Sequence, residues 1–263
     1  MDINLTYKKA FVCGSTQGIG LAAATELANL GASVVLLARN EDSLKRVKDV
    51  LNQSQNQQHD FIVADFSKPE ELKNKVGEYL ERSNQPVHIL INNTGGPPAG
   101  KAIDANLQEF INAFQNHLIC NQILVQSLVK EMKAAKYGRI INVISTSVKQ
   151  PIPNLGVSNT IRGAVASWAK TLAGELGEFG ITVNNVLPGF TMTQRLQSII
   201  ENKANKTGDS IERVVAEMKG ETPAKRFAEG FEVANAIAFL ASPAASYING
   251  VNLPVDGGRT SSL

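Results

Sequence analysis

Short, almost wholly apolar runs alternate with longer stretches of helical period along most of the chain. Residues 10–13, 33–37, 61–64, 87–92, 139–144, 181–187 and 251–255 are rich in Val and Ile and lack strict apolar–polar alternation. That is the composition of strands buried on both faces. Between them, residues 18–30, 41–51, 70–81, 107–135, 158–178 and 231–241 repeat apolar positions at helical spacing. Gly31 and Gly180 fall where helix C-caps are expected. Alternation of this kind, joined by right-handed crossovers, predicts an α/β fold: a doubly wound parallel sheet of about seven strands with helices on both faces. No linker or repeat interrupts it, so residues 1–263 read as one domain. One segment stands apart. Residues 201–220 are polar and charged and lie between Pro188-Gly189 and Thr222-Pro223, which predicts a helical lid or loop near 190–220.

Composition narrows the classes. A chain of 263 residues, 43% hydrophobic, suits one well-buried core. The 26 basic and 24 acidic residues leave a net charge of +2, scattered without a basic stripe, which speaks against a nucleic-acid partner. Cys13 and Cys120 have neither metal-ligand spacing nor a disulfide framework, so no metal site and a reducing compartment are expected. Residues 1–9 are polar rather than an apolar signal, and no run of about 18 apolar residues suggests a membrane span. A cytoplasmic protein is the expectation.

The chemistry starts after the first strand, at Gly14-Ser15-Thr16-Gln17-Gly18-Ile19-Gly20, which leads directly into a helix. Glycines there permit a tight turn and close approach of backbone to a pyrophosphate, and the helix N-terminus offers free N–H groups and partial positive charge. Placed between strand and helix, the turn reads as the cradle of a Rossmann-type dinucleotide site. The second strand ends Leu37-Ala38-Arg39-Asn40. A carboxylate there would accept from the ribose 2′-hydroxyl of NAD(H); Arg39 instead suits the 2′-phosphate of NADP(H), unless it is simply a solvated arginine at a helix start. Asp65, after the third strand, is placed to accept from the adenine amine or to cap a turn. Asn92-Asn93-Thr94-Gly95-Gly96 ends the fourth strand beside the switch point where ligands bind in such sheets.

On these residues the chain strongly resembles the short-chain dehydrogenase/reductase family, and within it the 3-oxoacyl-[acyl-carrier-protein] reductases and their relatives. The resemblance covers nearly the whole length. Cys13 through Gly20 matches the family's TGxxxGIG turn with Cys13 in the threonine place, Asp65 its adenine-contacting aspartate, and Asn92 through Gly95 its NNAG with Thr94 for alanine. Asn184 through Thr193 matches N-x-x-x-P-G-x-x-x-T, and Pro223, Arg226 and Val255-Asp256-Gly257-Gly258 complete the pattern. The resemblance implies that Pro188, Gly189 and Thr193 hold the nicotinamide carboxamide. It also implies a homotetramer or homodimer through the helices at 107–135 and 158–178. Gly163, Ala164, Ala166 and Ala169 permit such close packing, or equally serve packing within the chain.

The pattern breaks at the family's Asn-Ser-Tyr-Lys tetrad. Gly138-Arg139-Ile140-Ile141 sets a register that puts the serine at Ser145, the tyrosine position at Ser158, the lysine position at Arg162 and the asparagine position at His117. An aliphatic hydroxyl is far less acidic than a phenol and shorter in reach, so Ser158 does not replace the proton donor. Arg162 keeps a positive charge for the nicotinamide ribose but does not release its proton. His117 titrates near neutral pH and is a candidate relay, or else a satisfied histidine of the helix interior. The stretch 148–154 flanks the substrate cleft and shows no cluster of arginine or lysine, so nothing there selects a substrate. Two functions remain open. One is an NADP(H)-dependent oxidoreductase acting on a carbonyl/alcohol pair, with a small molecule or an acyl thioester as substrate. The alternative is a dinucleotide-binding sensor or scaffold that has lost turnover.

Overall fold

The computed structural model describes residues 1–83 and 85–262. Its strands are Lys9–Cys13 (β1), Ser33–Ala38 (β2), Asp60–Val63 (β3), Ile89–Asn92 (β4), Gly138–Val143 (β5), Ile181–Pro188 (β6) and Asn252–Val255 (β7). They form one parallel sheet in the order β3-β2-β1-β4-β5-β6-β7. The chain builds outward from β1 to β3, then returns past β1 to start the other half at β4. Between the carboxyl ends of β1 and β4 the helices before and after diverge to opposite faces, which leaves a crevice there.

The period of two along each strand divides the core. Ala10 and Val12 of β1 face Gly18–Asn29 (α1) and Gly230–Ala241 (α9), where Ala23, Ala24 and Leu27 meet Val233, Ala234 and Ile237. Phe11 and Cys13 face the other way, toward Pro69–Arg82 (α3), Cys120–Ala135 (α5) and Gly156–Leu176 (α6). Glu41–Val50 (α2) covers the outer strands through Leu44 and Val47. Strands buried on both faces by helices explain why their sequences lack alternation.

Element boundaries fall close to the sequence expectation, with three differences. The helix expected over 107–135 is divided: Leu107–Phe114 (α4) passes through a π-helical turn, Gln115–Ile119, into α5. Hydrophobic periodicity cannot reveal a single i→i+5 turn inside a helix that continues on either side. The strand expected from 87 begins at Ile89. The lid expected near 190–220 holds two helices, Gln194–Thr207 (α7) and Ile211–Gly220 (α8), the first beginning ahead of the polar run 201–220 because Thr193 caps it by accepting from Leu196 N. These two helices share their own small core of Leu196, Ile200, Ala204, Val214, Met218 and Phe227. Among the described residues no helix is long and apolar enough to cross a membrane.

Candidate active site

The glycine turn connects β1 to α1 at the crevice. Gly14 and Gly18 take φ of +58° and +56°, a region that disfavours a side chain, and a Cβ on Gly14 would lie 2.8 Å from Asn93 Nδ2. A Cβ on Gly20 would collide with the Gly14 carbonyl oxygen, so the helix start can close onto the turn only as glycine. Asn93, from the end of β4, donates through Nδ2 to Cys13 O (3.2 Å) and Gly14 O (3.4 Å), which fixes the turn against the neighbouring strand. Ser15 is fully buried and Ile19 packs on the core beneath. Gln17 occupies the N-cap of α1 without any side-chain cap bond, so the first-turn N–H groups have no side-chain acceptor there. A backbone cradle with unclaimed amides at a helix N-terminus fits a diphosphate.

At the ends of β2 and β3, Arg39 is exposed, while Asn40 caps α2 by accepting from Ser43 N at 2.8 Å. Asp65 accepts from Ser67 N at 2.9 Å, and this bond, with a further contribution from the Arg39 charge, holds its carboxyl below the usual aspartate range. Arg39 and Asp65 therefore face a common region, next to the glycine turn. The arrangement suits an adenosine with an anionic ribose substituent.

The β4–β5 side carries the buried chemistry. Ser145 follows β5 and its Oγ accepts from Ser147 N at 3.1 Å, which leaves the hydroxyl proton free to donate. Arg162 on α6 is 7% exposed; its Nη1 donates to Val143 O at 3.0 Å, and its Nε has no partner among the described residues. Burial, then the nearby Arg195 charge, lowers its pKa to about 10, so it remains a cation at neutral pH. Ser158 is buried one helical turn before it on the same side of α6. His117 sits in the π turn, buried, and lines a small enclosed cavity with Asn92, Asn121 and Arg162. Burial, then the Arg162 charge, push its pKa down to about 2, although the neighbouring Gly95 backbone acts to raise it. The imidazole is neutral at physiological pH, and a protonated relay at this position is disfavoured.

The fourth wall comes from β6. Gly189 donates through its N–H to Val255 O at 2.9 Å, and a Cβ on it would lie 2.7 Å from Asp256 Cα. The chain from Pro188 then runs to Thr193, whose Cγ2 lies 3.2 Å from the position a Cβ on Gly18 would take. The lid thus starts directly over the glycine turn. Arg195, in the first turn of α7, donates through Nη2 to Pro97 O at 2.9 Å, joining the lid to the loop after β4.

Comparison with known proteins agrees with this geometry. A family profile described as Enoyl-(Acyl carrier protein) reductase matches residues 14–260. The chain belongs to the short-chain dehydrogenase/reductase family. It is 28% identical over 259 residues to the NADPH-dependent reductase BacG of Bacillus subtilis, covering 98% of this chain and all of that one. It is 32% identical to the 3-oxoacyl-[acyl-carrier-protein] reductase FabG of Rickettsia bellii, over 97% of this chain and 98% of the other. The solved L-sorbose reductase of Gluconobacter frateurii, complexed with NADPH and L-sorbose, superposes with a TM-score of 0.93 at 30% identity, with full coverage of both chains.

Within this short-chain dehydrogenase/reductase chain, none of the four tyrosines lies at the cleft. Tyr7 and Tyr137 precede β1 and β5, at the opposite end of the sheet, and the Tyr137 hydroxyl donates to Ala241 O at 2.7 Å. Tyr79 packs edge-on against Phe11 in the core, and Tyr247 is fully exposed after α9. Sequence reasoning passed over Arg195. It passed over the register that brings Asn92, Asn142, Asn185 and Asn252 side by side across four strands as well. Aligning the strands residue by residue in parallel register would have found the asparagines; nothing local marks Arg195.

Proposed function

We propose that the protein is an NADP(H)-dependent oxidoreductase of the CH–OH/C=O type, and that Ser145 orients the carbonyl. The observation that carries this reading is the complete dinucleotide cradle, built from Gly14, Gly18, Gly20 and Asn93, opening beside a free serine hydroxyl and a buried guanidinium. Similarity to reductases named for NADPH supports the cofactor. When bound, the dinucleotide supplies the hydride. The chain's own residues do the rest. The amides of the turn and of α1 hold the diphosphate, with Ser15, Gln17 and Ile19 shaping the turn. Arg39 meets the 2′-phosphate, and Asp65 the adenine amine. Pro188, Gly189 and Thr193 hold the carboxamide, with Asn92 and Gly95 forming the crevice floor.

Reduction of a carbonyl also needs negative charge on oxygen stabilised and then protonated. Ser145 donates a hydrogen bond to that oxygen, and Arg162 supplies fixed positive charge in a water-poor site, where it acts most strongly. The final proton comes from solvent water, with Ser145 holding the oxygen in place. His117, neutral and tied to Gly95, positions the loop, and Ser158 lines the pocket without acting as the acid.

The similarity to FabG supports a 3-oxoacyl thioester, and the similarity to the L-sorbose reductase supports a small polyol ketone equally well. The absence of tyrosine at the cleft favours a second reading, a dinucleotide sensor. NADPH consumption across a panel of ketones and 3-oxoacyl thioesters tests the first. Turnover that Ser145→Ala abolishes supports the enzyme, whereas tight NADPH binding with no turnover supports the sensor.

Assembly is proposed on a surface feature. On α4 and the turn before it, Ile103, Leu107, Ile111 and Phe114 stand exposed on one side, the last three at helical spacing. A second copy of the chain covers this stripe in a homodimer or homotetramer. Gly163 has open space at its missing Cβ and suits such a contact, whereas Ala166 and Ala169 are buried within the chain. Cys13 and Cys120 are free, buried thiols, which fits a cytoplasmic protein.

A further inference from the structure

Two guanidinium groups converge on one backbone point in the cleft. A Cβ at Gly96 would lie 3.6 Å from Arg195 Nη2 and 3.8 Å from Arg162 Nη2. Arg162 comes from inside the molecule, on α6, and Arg195 from the lid, on α7. Neither forms an ion pair with a carboxylate among the described residues. Arg162 is more than nine-tenths buried and retains an unpartnered Nε. The enclosed cavity it lines, with Asn92, His117 and Asn121, contains no acid.

Like charges this close repel, although Arg195 is exposed and partly screened by solvent, and the buried Arg162 cation lacking a counter-ion is costly to the fold. The surrounding segments add no compensating charge. Residues 93–103 and 145–162 contain no acid but contribute Lys101 and Lys149, and the first acid after Pro188 is Glu201. The stretch 148–154 holds no cationic cluster, as its sequence says; the pair forms elsewhere, where α6 and α7 are brought together.

We propose that Arg162 and Arg195 form the receptor for a carboxylate on the carbonyl substrate, so that the enzyme acts on oxo acids and their hydroxy-acid counterparts. This rests on the carbonyl-reductase reading above. Arg162 Nη1 is bonded to Val143 O, two residues before Ser145, so the arginine and the carbonyl-orienting serine are both anchored at the end of β5. A substrate that meets both groups carries its carboxylate close to its carbonyl, as 2-oxo and 3-oxo acids do. Arg195 is the specificity-determining residue. It sits on the lid, so acid binding also fastens the lid over the cleft.

The test is equilibrium binding by calorimetry to the protein saturated with NADP, comparing 2-oxohexanoate and 3-oxohexanoate with their methyl esters. We expect at least one acid to bind about tenfold or more tightly than its ester. Arg195→Ala should remove that difference while leaving NADPH affinity unchanged, and Arg195→Lys should restore part of it. Gly96→Asp provides an internal carboxylate at the point both arginines face; it should block acid binding with NADPH binding retained. Equal affinity for acid and ester in the wild type overturns the proposal. So does a loss of NADPH affinity in Arg195→Ala, which would assign that arginine to the dinucleotide. Because the readout is binding, it remains decisive if no turnover is found, and turnover of neutral ketones alone would leave the reductase reading standing without this one.

Discussion

Asn92 donates its side-chain amide to Asn142 Oδ1 at 2.8 Å, the first step of a ladder across the sheet. Asn142 donates in turn to Asn185 and Asn185 to Asn252, each at 2.8 Å. The bonds all run one way, so the ladder ends on Asn92 Oδ1, a buried acceptor with no partner. That residue lines the same small cavity as Arg162, whose Nε is also unpartnered. The polar interior of the sheet therefore leads directly to the cation of the cleft.

A substitution in the middle of this ladder should be more costly than one at its end. Asn142→Ala strands the Asn92 amide and the Asn185 carbonyl together in the buried interior of the sheet. We expect a loss of about 2–4 kcal/mol, against about 1 kcal/mol or less for Asn252→Ala at the partly exposed edge. Urea unfolding checks this through a lower midpoint at unchanged slope. Equal losses for the two variants would mean the bonds do not act as a series.

Cofactor choice should follow Arg39. It is exposed at the end of β2, and its charge already contributes to depressing Asp65. Replacing it with Asp exchanges an attraction for the 2′-phosphate with a repulsion and offers an acceptor to a 2′-hydroxyl. The ratio of NADPH to NADH affinity should fall about tenfold to a hundredfold in Arg39→Asp. Titration of both nucleotides measures it, and an unchanged ratio would remove Arg39 from the site.

The fold was legible in the sequence for reasons that are local. Val- and Ile-rich runs mark strands buried on both faces, and glycine is required at Gly14 and Gly18 because the backbone there is left-handed. Arg39 and Asp65 were read from their places at strand ends, whereas Ser145 came from the register of the family resemblance. What escaped depends on long-range placement. The asparagine ladder exists only in the register of four parallel strands, and Arg195 meets Arg162 only because the lid crosses the cleft. The π turn at Gln115–Ile119 also escaped, because it leaves the helical pattern on both sides intact. The neutral state of His117 follows from burial and a neighbouring arginine, neither visible in a count of residues.

Acid sensitivity should follow from that histidine. The folded pKa of His117 is about 2 and that of His88 about 4, both lowered chiefly by burial from an ordinary 6.5. Below pH 6.5 the unfolded chain binds protons that the folded chain does not. Stability is therefore full above that value and falls as pH drops, down to about 4 for His88 and further for His117. Each contributes a slope of up to about 1.4 kcal/mol per pH unit. In His117→Gln the decline should be shallower by one proton's worth. Unfolding free energies at about pH 7, 6 and 5 measure the slope, and an unchanged slope would show the ring to be already protonated in the fold.

The exposed stripe on α4 predicts a state of assembly. Leu107→Glu with Ile111→Glu places charge where a second copy is proposed to dock, while both side chains point away from the core. The doubly substituted protein should elute as a monomer on sizing, with NADPH affinity retained because α4 does not reach the glycine turn. A wild-type protein that is itself monomeric would dispose of the stripe as an interface.

The sharpest prediction concerns Ser158 and Arg162, one helical turn apart and both buried on α6. Ser158→Tyr with Arg162→Lys supplies a phenol and, beside it, an ammonium that lowers the phenol's pKa, a pair able to deliver a proton to an alkoxide. If Ser145 orients a carbonyl there, the double variant should reduce neutral ketones about tenfold faster or more than the wild type. The same change replaces a two-pronged guanidinium with a point charge, so oxo-acid binding should weaken in parallel. A gain on ketones together with a loss on oxo acids is the expected signature. Gain on both would separate the acid receptor from Arg162, and gain on neither, in a folded variant that still binds NADPH, would mean no carbonyl is placed beside Ser158 at all.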